Sequence, residues 1–88
     1  MLFILYNYNG DSMNIDIIKE VTIEYIENEY ALATNYLKTN SDMRLKNMLE
    51  ELELLEDKIR VCDDINALDN YKTMLDHLIS RMEGIINE

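Results

Sequence analysis

A chain of 88 residues, 48% hydrophobic and 30% charged, is sized for one domain and is too apolar for intrinsic disorder. Its 18 acids against 8 bases leave a net charge of −10, which disfavours direct contact with nucleic acid and with anionic membrane surfaces. Proline is absent and glycine occurs only as Gly10 and Gly84, so nothing breaks a helix between those positions and the predicted fold class is all-α.

Residues 1–12 read as an apolar N-terminal segment. Leu2 to Tyr8 are rich in β-formers and run into Asn9-Gly10, a turn-favouring dipeptide, so the stretch is strand-like with no second strand to pair with. It is too short to span a membrane, and it lacks the basic start and small-residue cleavage site of a signal peptide. Met13 offers an alternative start, on which reading the first residues are not native to the domain. A single helical domain is expected over 13–88.

The first helix is predicted over about 14–38, with Ile15, Ile18, Thr22, Tyr25 or Ile26, Tyr30, Ala33 and Leu37 at helical spacing. Ile17, Val21 and Ile23 lie off that stripe, which predicts more than one packing neighbour. Thr39 to Asp42 form a polar break, and a second helix follows over about 42–61. Leu45, Met48, Leu52, Leu55, Ile59 and Cys62 alternate spacings of three and four there, a heptad seam widened by Leu49 and Leu54. Asp63-Asp64 supplies a cap for a third helix over about 64–86, with Ile65, Leu68, Leu75, Ile79, Met82 and Ile86 facing inward and Lys72 interrupting. The expected architecture is a three-helix bundle, or a helical hairpin with a long first helix. No Gly or Pro separates helices two and three, so a continuous helix roughly 65 Å long, covered by a partner chain, is the competing reading. Leftover apolar surface on helix one and the N-terminal segment predicts a homo-oligomer, a dimer first.

Residues suited to chemistry are sparse. Cys62 has no partner for a disulfide and reads as a small buried hydrophobe, which suits a reducing, cytoplasmic setting. His77 has Thr73 and Arg81 at four-residue spacing, and Met74 stands where a di-iron motif needs Glu. The run Asp63, Asp64, Asn66, Asp69, Asn70 lacks the acid spacing, turn glycine and terminal Glu of a calcium loop. There is no phosphate loop, zinc-type cysteine pair or nucleophile with a spaced histidine, so neither enzyme activity nor a cofactor is expected. At Leu75, Asp76, Leu78 and Ile79 the chain resembles the Ser-Gln-Glu-Leu-Asp box of small sporulation aspartyl-phosphate phosphatases, which are short acidic helical hairpins. The Ser-Gln pair is missing, and the interval back to Lys58 and Arg60 is too short for that family's loop, so Asp76 is not assigned a role.

Charge segregation is the informative feature. Glu20, Glu24, Glu27 and Glu29 occur without a base before Lys38, and Glu50, Glu51, Glu53, Glu56 and Asp57 without a base between Lys46 and Lys58. Glu20, Glu24 and Glu27 share one helical face, as do Glu50, Glu53 and Asp57, and each set repels itself. The plain reading is a solubilising surface. The functional reading is a surface for another protein, basic or nucleic-acid-binding, that acts as a mimic of nucleic-acid phosphates or as an inhibitor from a phage or mobile element. Tyr25 and Tyr36, three turns apart, are predicted to flank the acidic line as interface residues. The leading expectation is thus a non-enzymatic interaction or regulatory protein. The alternatives are a structural coiled-coil oligomerisation module and a small-ligand sensor with an inter-protomer pocket touched by tyrosines and Lys72.

Overall fold

The computed structural model describes residues 12–88, which form three helices: α1 (Ser12–Leu37), α2 (Met43–Arg60) and α3 (Ile65–Ile86). Each packs against the other two, making a three-helix bundle with no strand among the described residues. The strand-like reading of the N-terminal segment falls on residues 1–11, outside those described.

Local chemistry explains where the helices stop and start. The Tyr36 carbonyl at the end of α1 accepts hydrogen bonds from the Thr39 and Asn40 backbone N–H groups and from the Asn40 side-chain amide, at 3.3, 3.1 and 3.0 Å. Asp42 then caps α2 by accepting from the Arg44 and Leu45 N–H groups at 2.9 and 3.3 Å. The Arg44 guanidinium also grips this carboxylate and, with those backbone bonds, holds it below the usual aspartate range. Lys58 and Arg60 in the last turn of α2 complement the carbonyl end of its dipole.

The α2–α3 break forms without glycine or proline. Asp64 adopts an extended backbone and its side chain accepts from the Asn66 N–H at 3.2 Å, starting α3 afresh. The Cys62 N–H closes the last turn of α2 on the Ile59 carbonyl at 3.1 Å. Lys19 on α1 donates to the Cys62 carbonyl at 2.8 Å, so a helix-end acceptor that a continuous helix would use internally is satisfied from α1. The chain is therefore a hairpin here and not one long helix.

The core is filled mainly from α2 and α3. Leu45, Leu52 and Ile59 of α2 meet Leu68, Leu75 and Met82 of α3, all essentially solvent-free. Leu49 is buried where the seam reading favoured Met48, which is only partly covered. From α1 the apolar residues fully enclosed are Ile26 and Ala33, and two polar side chains, Thr22 and Glu29, are buried with them. Thr22 is satisfied, donating to the Ile18 carbonyl at 2.7 Å. Glu29 is not.

Candidate functional site

Three flanks run along the bundle, one at each seam between helices, and they differ in chemistry. On α2, with Leu52 pointing inward, the 100° step per residue turns Glu53, Glu56 and Asp57 towards α1 and Glu51, Leu54 and Lys58 towards α3.

The α1–α2 flank is acidic. Glu20, Glu24 and Glu27 line one shallow depression together with Arg60, and Glu27 continues into a second, lined by Tyr30, Glu53, Glu56 and Asp57. Six carboxylates from two helices thus share a single strip. Arg60 is the cation within it, paired with Glu56 in the same helix and with Glu27 across the seam at 3.6 Å. Tyr30 donates its hydroxyl to Glu53 at 2.8 Å, and that bond, with the charge of Glu53, raises the phenol above its ordinary pKa. Of the predicted surface residues, the structure brings together Glu20, Glu24, Glu27, Glu53 and Asp57. Glu50 is exposed on the same side of α2 but lines neither depression.

Tyr25 and Tyr36 lie elsewhere. Counted from Glu20 at 100° per residue, both project from the opposite side of α1, towards α3. Tyr36 packs partly buried against the core. Tyr25 is half exposed beside Asp76, Glu83 and Glu29, and burial together with those three charges raises its phenol pKa.

The α1–α3 flank also holds the residue that the sequence reading missed. Glu29 is 3% exposed, and its Oε2 is enclosed with no donor in reach. Burial, then a hydrogen bond and repulsion from the Glu83 carboxyl, push its pKa up to about 7. Glu29 therefore keeps its proton into the neutral range. The signal was present: Thr22, Ile26, Glu29, Ala33 and Tyr36 alternate spacings of four and three, so Glu29 occupies a seam position.

The α2–α3 flank is mixed. An open groove is floored by Leu55 and Leu78, carries Leu54 and Met74 on its walls, and is rimmed by Glu51, Lys58, His77 and Arg81. Arg81 reaches Glu51 across it at 3.5 Å.

Among the described residues no group of three or more His, Cys, Asp or Glu is arranged to hold a metal ion. No described helix is long and apolar enough to cross a membrane. Compared with family models, curated proteins and solved structures, the chain matches none.

Proposed function

We propose that the protein is a non-enzymatic regulatory protein whose α1–α2 flank binds a basic surface on another protein, as an inhibitor that offers carboxylates where its partner takes nucleic-acid phosphates. The observation that carries this reading is the convergence of six carboxylates from two helices on one strip around Arg60. Gathering them costs the free protein self-repulsion, which a cationic partner relieves. The strip is also organised as two rows, one per helix, with Glu20, Glu24 and Glu27 on α1 and Glu53, Glu56 and Asp57 on α2. Around Glu53 the Tyr30 hydroxyl adds an aromatic edge of the kind enriched at interfaces. The buried thiol of Cys62 fits a reducing compartment such as the cytoplasm.

Affinity capture from the source cell tests the proposal when it is repeated with Glu50, Glu53 and Asp57 changed to Lys. The expected result is recovery of a basic, nucleic-acid-binding protein whose retention falls with salt and is lost in the triple variant. A partner retained by that variant with unchanged salt dependence would show that the acidic strip is not the binding surface.

A further inference from the structure

We propose that the α2–α3 flank is the docking face for a second copy of this chain, forming a two-fold dimer. Leu54 and Met74 are 62% and 52% exposed, and they come from neighbouring helices onto one groove with an apolar floor. A paired exposure of this kind marks a contact surface more strongly than scattered single residues do.

Charge selects the occupant. On the α1–α2 flank six carboxylates surround Arg60, so a second copy laid there repels itself, and the α1–α3 flank, with Asp69, Asp76 and Glu83 against Lys72, is net acidic as well. The α2–α3 flank instead carries Glu51 with Lys58 and Arg81, and this set is complementary to itself. Glu51 and Lys58 stand two turns apart on α2, about 10.5 Å, with Leu54 between them. When α2 of one copy runs antiparallel to α2 of the other around Leu54, each Glu51 meets Lys58 of the second copy. When the two-fold axis runs along the bundle, α2 lies on α3 and Glu51 meets Arg81, because those two residues already stand level across the groove. Either two-fold arrangement buries Leu54 and Met74, joins opposite charges and closes on itself.

The face is large enough. The 18 residues of α2 are about 27 Å long, and two packed helices present about 20 Å of width, so each copy can cover about 500 Å². A total of about 1,000 Å² sits at the lower bound for specific interfaces, which points to a dimer of modest affinity. The acidic strips of both copies stay uncovered, and the dimer does not depend on what they bind.

Sedimentation equilibrium of the full chain over a dilution series tests this directly. The wild type is expected to approach twice the 10.4 kDa chain mass as concentration rises. Leu54→Lys, at an exposed position that the fold does not need, should weaken association by about tenfold or more, with helix content unchanged by circular dichroism. Charge supplies a second test that is independent of apolar contact. Glu51→Lys makes all three rim charges positive and Lys58→Glu/Arg81→Glu makes them all negative. Each variant alone should be monomeric, and an equimolar mixture should pair. A wild type that stays monomeric throughout, a dimer indifferent to Leu54→Lys, or a charge-swapped mixture that does not pair would overturn the proposal.

Discussion

The carboxyl groups of Glu29 and Glu83 meet across the α1–α3 seam, with Glu29 buried and its Oε2 lacking any donor. Because the Glu29 pKa is raised from 4.5 to about 7, the folded state holds a proton that the unfolded chain releases. Its contribution to stability is full below the unfolded value and is lost as pH rises through the folded value. Urea denaturation should therefore show a fall, on the order of 2 kcal/mol, between pH 5 and pH 8. Glu29→Gln, which keeps the shape and supplies a permanent donor to Glu83, should flatten that slope and stabilise the protein at pH 8. A slope unchanged in the variant would place its origin elsewhere.

Tyrosine ionisation followed by absorbance gives a reading of the acidic strip without a partner. Tyr30 donates to Glu53, and both the bond and the negative charge oppose loss of the phenolic proton. In Glu53→Gln the charge is gone, so one tyrosine should titrate at lower pH than in the wild type. Tyr30→Phe should remove that same high-pH transition and leave the shifted Tyr25 transition in place.

These two carboxylate sites show how far the sequence could be read. The helices were legible because Leu45, Leu52, Leu55 and Ile59 keep heptad spacing and because Asp42 and Asp64 have the chemistry of caps. Each acidic row was legible on its own helix for the same geometric reason. Their merger was not, since it depends on which side of α1 faces α2, and α1 is apolar on several sides. Glu29 was hidden by a one-residue ambiguity: Tyr30 fits an apolar stripe by type, yet it turns towards Glu53 and leaves the seam position to Glu29. Residue type argued against burial there, and tertiary contact decided it.

The α2–α3 turn should loosen when its tie to α1 is cut. Lys19 is bonded to the Cys62 carbonyl at 2.8 Å, an acceptor at a helix end with few other protein partners. Lys19→Met keeps most of the stem and removes the donor, which should cost about 1 kcal/mol. Hydrogen exchange should quicken around Asp63 to Asn66 before it does in the core of α2. Asp64→Ala, which removes the cap on Asn66, should cost about 1 kcal/mol as well and speed exchange in the first turn of α3 alone.

Gly84 offers the opposite outcome. It lies on the exposed side of α3, inside the helix, and its φ is not positive, so the backbone there has no need of glycine. A Cβ at this position would meet nothing within 4 Å. Gly84→Ala should then stabilise the protein by about 0.5–1 kcal/mol, chiefly by narrowing the unfolded ensemble, and raise the melting temperature by several degrees. The gain should be the same at pH 5 and pH 8, although Glu83 is the adjacent residue, because the added methyl points away from the seam and touches neither carboxyl. A gain confined to low pH would mean that the substitution acts through the Glu29–Glu83 pair, whereas a loss would show that glycine at this point serves a contact made by the docked second copy or by another partner.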